Sequence, residues 1–149
     1  MSTLLTCRSA SARPYSRGLK ADANSLLQIL EVERYELSLM LVSDRAIRKL
    51  NRDFRAKDQA TDVLSFPQFD EDLDPAAIAH TDATDAPPMV LGDIVISIDT
   101  ASRQARELRQ NVAARIRTLL IHGLLHLMGY DHERSASGSS RLRMSRDKR

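Results

Sequence analysis

At 149 residues the chain is long enough for one domain with a real core and too short for two of ordinary size. Its 22 basic and 20 acidic side chains leave a net charge of +2, and its one cysteine, Cys7, excludes an internal disulfide and a cysteine-based metal site, and fits a reducing compartment. No apolar run reaches membrane-spanning length, and with no tryptophan and 4% aromatic residues base stacking cannot be widespread, so a nucleic-acid partner would be held mainly through its phosphates.

The first 21 residues contain no acid but carry Arg8, Arg13, Arg17 and Lys20, a composition compatible with an organellar transit peptide. From Asp22 to Glu33 the apolar residues Leu26, Leu27, Ile29 and Leu30 recur at helical spacing. Glu36 to Ser43, dense in Leu, Met and Val, reads as a strand. Asp44 is the expected cap of the next helix, whose apolar face carries Ile47, Leu50 and Phe54. After Arg55 and a polar stretch, Asp62 to Phe66 reads as a short strand stopped by Pro67.

Residues 68–90 are acidic and alanine-rich, with Pro75, Pro87 and Pro88, and read as a long loop. They hold six acids and no Lys or Arg, so without them the charge would be +8 rather than +2. Gly92 to Ile98 reads as a strand, with Asp99 as the expected cap of a helix to about Arg109. Asn111 caps a last helix with Val112, Ile116, Leu119 and Leu120 on its apolar side. Arg103, Arg106, Arg109, Arg115 and Arg117 fall in this region, and residues 134–149 form a basic, Ser/Gly-rich tail that reads as flexible. The functional reading of these arginines is an RNA-backbone surface, with Arg103, Arg106, Arg115 and Arg117 as candidates. For any one of them a solvated helix face is the better expectation.

Three of the four histidines lie within eleven residues, in Ile121-His122-Gly123-Leu124-Leu125-His126-Leu127-Met128-Gly129-Tyr130-Asp131-His132. On a helix His122 and His126 share one face, one turn apart. Gly129 can end that helix in the left-handed conformation and let the chain bring His132 back. Three imidazoles leave a fourth position for water, which marks a catalytic zinc rather than a structural one. The plain alternative is a buried helix with satisfied core histidines. Leu119 to Met128 is apolar nearly all round, and burying unpaired imidazoles would be costly, which favours the metal.

The histidines and the glycine match the metzincin spacing H-E-x-x-H-x-x-G-x-x-H, except that Gly123 stands where those proteases carry their general base. A metallopeptidase is therefore an alternative that lacks its proton acceptor. A zinc held by neutral imidazoles lowers the pKa of bound water toward ~7 and polarises a phosphoryl oxygen. Imidazole donors also suit nickel and copper.

The stretch His122-Gly123-x-x-His126-Leu127-x-Gly129-Tyr130-Asp131-His132 resembles the signature of the YbeY family, metal-dependent endoribonucleases of ribosomal RNA maturation. Asn51-Arg52-Asp53-Phe54-Arg55, with Thr61-Asp62-Val63-Leu64-Ser65-Phe66-Pro67, resembles its central motif, and Leu91-Gly92-Asp93-Ile94 the next. Together they span roughly Tyr35 to Glu133, in order and at fitting separations.

The resemblance implies a single domain over residues 1–133 followed by the tail. Its fold would be α+β, a small mixed, roughly four-stranded sheet packed with helices, the central helix carrying the metal-binding histidines. The interleaving of strands and helices suggests the same. The resemblance also turns Leu4 to Cys7 into an edge strand rather than part of a transit peptide, and so implies a cytoplasmic protein over an imported one. It assigns one zinc per chain to His122, His126 and His132, and the catalytic role to Arg55, whose planar fork pairs with phosphate. Asp131, Asp62, Ser65 and Asp93 are supporting candidates, Asp131 as an acceptor that orients an imidazole. The implied partners are single-stranded ribosomal RNA and the small ribosomal subunit, with no membrane. A non-catalytic ribosome-assembly factor with a structural metal is a further alternative. Family members usually continue past the third histidine into an acidic, Met- and Glu-rich helix, and here the basic tail follows Glu133 instead.

Overall fold

The computed structural model describes residues 3–68 and 89–129. Its strands are β1 (Thr3–Cys7), β2 (Tyr35–Val42), β3 (Val63–Pro67) and β4 (Met89–Ser97). Its α-helices are α1 (Ser16–Ile29), α2 (Asp44–Arg55), α3 (Ile98–Leu108) and α4 (Val112–Leu127), and a 3-10 helix over Ala10–Tyr15 leads into α1. The four strands form one mixed sheet in the order β1-β2-β4-β3. β1, β2 and β4 run parallel, and β3 joins β4 antiparallel at the edge. The expected α+β architecture is the one observed.

Alternation along the strands decides what lies on each face. Leu37, Leu39 and Leu41 of β2, with Ile94 and Ile96 of β4, are wholly buried on one face. Leu19, Ala23 and Leu27 of α1 and Ile116, Leu119, Leu120, Leu124 and Leu127 of α4 cover them. The other face is smaller: Val42, Leu64 and Val95 pack with Ile47 of α2, flanked by Met40, Leu50 and Phe66.

Residues Thr3 to Lys20 are built into this fold. Leu5 and Cys7 pack on the main core, and Ala12 and Leu19 are buried in it. α1 therefore begins six residues before the position expected from its apolar periodicity. It ends at Ile29 through two bonds, Glu31 N–H to Gln28 O (3.0 Å) and Val32 N–H to Leu27 O (2.9 Å), with Glu31 left-handed at φ 61°.

Two expected caps are displaced. Ser43, not Asp44, caps α2, its Oγ accepting from Ala46 N–H at 3.2 Å. Ser97, not Asp99, caps α3, its Oγ accepting from Thr100 N–H at 3.2 Å. The two carboxylates instead tie the helix starts to each other. Asp44 accepts from Ser97 Oγ (2.6 Å), Thr100 Oγ1 (2.6 Å) and Arg103 (2.8 Å), while Asp99 accepts from Asp44 N–H at 2.8 Å. The cap predicted for α4 is present: Asn111 Oδ1 accepts from Ala114 N–H at 2.7 Å.

Candidate metal centre

α4 meets the sheet at Gly123. A Cβ there would sit 2.9 Å from Ile94 Cγ2, closer than real side chains come, and a tight 3.2 Å from Ser65 Oγ. Ser65 Oγ donates to Gly123 O at 3.1 Å and pins the helix to β3. The position that carries the base in a metzincin thus faces inward here, with no room for a carboxylate.

The flanking histidines face outward. His122 and His126 are both exposed, one turn apart on α4. The helix is apolar and buried on its sheet side alone, so the expectation that the imidazoles are buried is corrected. The cost of burying them is no longer a reason for a metal; their spacing and accessibility are. A cation needs imidazoles on one accessible face, and these two stand one helical turn apart on such a face. The helix stops as the sequence predicted: Gly129 is left-handed at φ 88°, and its N–H donates to His126 O at 3.1 Å. Tyr130, Asp131 and His132 lie outside the described residues, as does the tail from 134 to 149 and most of the acidic loop. Among the described residues no three His, Cys, Asp or Glu side chains form a metal-sized group.

Arg55 is the last residue of α2 and is exposed. α2 and α4 pack on opposite faces of the sheet, so Arg55 and the histidines come from opposite sides. Edge strand β3 links them. Ser65 points to one face and holds α4, and its neighbour Phe66 points to the other and meets the end of α2. The Phe54 and Phe66 rings lie 5.6 Å apart at 68°, an edge-to-face contact. Phe54 was expected on the apolar face of α2, yet it is 68% exposed and touches the sheet only at its rim.

Gly92 closes the same corner. It has φ 154°, and a Cβ there would lie 2.6 Å from Phe66 O and 2.8 Å from Leu127 Cδ2. Opposite β2 the register passes from Val90 to Gly92, leaving Leu91 as an extra residue. The three sequence motifs are therefore three sides of one close contact between β3, β4 and α4.

The supporting candidates separate by role. Asp62 accepts from Val63 N–H (2.8 Å) and Gln104 Nε2 (3.2 Å) and lies 4.0 Å from Arg115, which in turn donates to Gln104 Oε1 at 2.8 Å. It joins the start of β3 to α3 and α4. Asp93 receives a 3.4 Å hydrogen bond from the exposed Gln68. Of the four arginine candidates, Arg103 pairs with Asp44 (2.8 Å), Arg117 with Asp22 (3.2 Å) and Arg115 with Asp62, while Arg106 is exposed in the last turn of α3.

Asn51 received no role from its motif. It is 2% exposed, its Nδ2 donates to Gln59 O at 2.9 Å, and its backbone carbonyl accepts from Lys57 N–H at 3.2 Å. With Ala56 left-handed at φ 59°, these bonds shape the chain that leaves Arg55. An asparagine four residues after Ile47, in line with the apolar face of an otherwise polar helix, is the sequence signal for such a role. Farther along α2, a surface depression of about 430 Å³ is lined by Asp44, Arg45, Arg48, Asp58, Gln59 and Ala60, none of them a site candidate. In it the hydrogen bond from Arg48 holds the Asp58 carboxyl below the usual carboxylate range.

The profile of the family described as Endoribonuclease YbeY matches residues 8–148. Endoribonuclease YbeY of Anaeromyxobacter dehalogenans (strain 2CP-C) is 50% identical over 81% of this chain and 56% of its own length. That of Aquifex aeolicus (strain VF5) is 40% identical over 81% of this chain and 72% of its own. The chain spans 38% of the Myxococcus xanthus (strain DK1622) relative, which is 48% identical over 82% of this chain. The solution structure of TM1509 from Thermotoga maritima is similar, with a TM-score of 0.58 and 27% identity over 88% of this chain and 75% of that one.

Proposed function

We propose, because the chain belongs to the YbeY family of endoribonucleases, that it is a metal-dependent endoribonuclease that cuts single-stranded RNA in ribosomal RNA maturation. The observation that carries this reading is the pair of exposed imidazoles, His122 and His126, one turn apart on a helix that Gly129 ends just before His132. These three histidines would hold one zinc ion. When bound, the ion would polarise a phosphoryl oxygen and lower the pKa of water.

The residues of the chain do the rest. Neutral imidazoles add no negative charge, so they do not repel a phosphodiester. Arg55 binds the non-bridging oxygens of the scissile phosphate, where negative charge grows in the transition state and a guanidinium contributes most. Asn51 and Ala56 hold the end of α2 so that Arg55 is presented from a fixed helix turn. Ser65 holds α4 against β3 and fixes where the imidazoles stand. Asp131 would orient one imidazole, and Asp93 would support the rim. Arg106 is the strongest candidate for a further backbone contact, since Arg103, Arg115 and Arg117 already serve carboxylates. In this reading the protein works in the cytoplasm on the small ribosomal subunit.

The test uses the purified full chain, metal analysis and a single-stranded RNA. Cleavage should vanish with a chelator, return with zinc, and fall by a factor of ~100 or more in both His126→Ala and Arg55→Ala. Undiminished cleavage by His126→Ala would refute the assignment. An RNA with one 2′-deoxyribose at the cut site separates attack by water from attack by the neighbouring hydroxyl: normal cutting there excludes the latter.

A further inference from the structure

The exposed large apolar side chains among the described residues are Leu4, Ile29, Phe54, Val90 and Leu108, and Phe54 is the one aromatic in that set. Its neighbours in sequence are polar and mostly basic. From Arg48 to Asp58 the chain carries Arg48, Lys49, Arg52, Arg55 and Lys57 against Asp53 and Asp58. Arg48 is occupied by Asp58 at 2.8 Å and Arg52 by Asp53 at 3.2 Å, which leaves Lys49, Arg55 and Lys57 as a net positive charge on the stretch that carries the ring.

The ring is also held. Phe66 braces it from β3, and the helix turn beneath it is fixed by the left-handed Ala56 and by the Asn51 bonds to Lys57 and Gln59. A helix that buries Ile47 and half-buries Leu50 shows the next apolar residue of that row to solvent, directly before the arginine assigned to the phosphate.

We infer that Phe54 is a positioning residue for RNA, a platform on which one unstacked base next to the scissile phosphate lies while Arg55 holds that phosphate. The inference rests on the proposed RNA cleavage and deepens it. A base presents a flat π face of any sequence, and a braced aromatic ring in a basic setting is the chemistry that receives it. Single-stranded RNA fits and a duplex does not, because paired bases are already stacked on each other. With so few aromatics in the chain, one base is the expected footprint, and little sequence preference should follow.

The chain has no tryptophan, so Phe54→Trp places a single fluorophore on the platform. The probe is a single-stranded RNA with 2′-O-methyl riboses, added in the presence of chelator so that neither mode of attack can cut it, and its counterpart with abasic sugars. The Trp emission should be quenched by the intact oligonucleotide and much less by the abasic one. With cleavable RNA, Phe54→Ala should raise KM about tenfold with a smaller change in kcat, and Phe54→Trp should restore KM. Arg55→Ala should instead lower kcat. Thermal unfolding of each variant checks that it is folded, and two exposed positions, 54 and 55, should tolerate these changes. RNA cut by Phe54→Ala with an unchanged KM, or a Trp signal that ignores bound oligonucleotide, would overturn the platform and leave the nuclease standing. A chain that neither binds nor cuts RNA would remove both.

Discussion

At position 123 helix α4 carries a hydrogen where a metallopeptidase carries a carboxylate. Two effects oppose each other if that hydrogen becomes a methyl group. Replacing glycine inside a helix gains about 1 kcal/mol of propensity. Against it, the new Cβ would stand 2.9 Å from Ile94 Cγ2, a branched methyl of a wholly buried side chain that has nowhere to move. Overpacking of this kind costs roughly 1–3 kcal/mol. The clash should win, so Gly123→Ala should lower stability by about 1 kcal/mol in urea unfolding, and a more stable variant would show that the contact relaxes freely. Gly123→Glu should be poorly folded and should show no peptidase activity, because its carboxylate would enter the core rather than the site. The glycine was visible in the sequence as a missing base. Its reason was not, because that depends on how closely the helix lies on Ile94, a residue 29 positions away.

Among the elements, the starts of α2 and α3 behave as one unit. Burial of Asp44 by itself would push its carboxyl up, but the hydrogen bonds from Ser97, Thr100 and Arg103 outweigh burial and hold it below the usual carboxylate value. Its contribution to stability is therefore present above the ordinary carboxylate range and is lost as pH falls through the lowered value. Asp44→Asn should cost about 1 kcal/mol at neutral pH, and the gap to the parent chain should close below about pH 4. Thermal unfolding of both proteins between pH 7 and pH 3 measures it, and a gap that does not depend on pH would exclude the carboxylate as its source. The strands of this sheet were legible because their apolar residues alternate. The caps were misplaced by one and two residues because Ser43 stands beside Asp44, and Ser97 near Asp99, and either type can cap a helix. Only the pairing of the two helix starts shows which hydroxyl turns inward and which carboxylate reaches across.

For the molecule as a whole, a ligand that binds only the folded chain adds to its stability. If the histidines at the end of α4 hold zinc, the metal-loaded protein should melt several degrees above the chelated one, since a free metal concentration 100 times Kd contributes about 2.7 kcal/mol. His126→Ala should lose most of that increment, each protein being compared with its own chelated form. An unchanged melting temperature on zinc addition to the parent chain would separate these histidines from any tight metal. The clustering of the motifs was legible, since His122 and His126 sit on α4 and Gly129 just past its end, as their spacing requires. Their relation to Arg55 was not. Arg55 belongs to a helix on the opposite face, and nothing in a linear reading says that Ser65 and Phe66, side by side on a five-residue strand, hold one helix each.

That strand has a consequence for how errors would propagate. Neighbouring side chains of β3 point in opposite directions, so sliding it along β4 by a single residue would turn the serine toward α2 and the phenylalanine toward α4. A hydroxyl would then face the aromatic helix end, and a bulky ring would press into the gap that admits only glycine. Such a slipped molecule would keep its sheet and most of its core, yet its guanidinium and its imidazoles would no longer share a common frame. If the proposed site is right, alignment of one short edge strand is the point at which folding and chemistry are coupled in this protein.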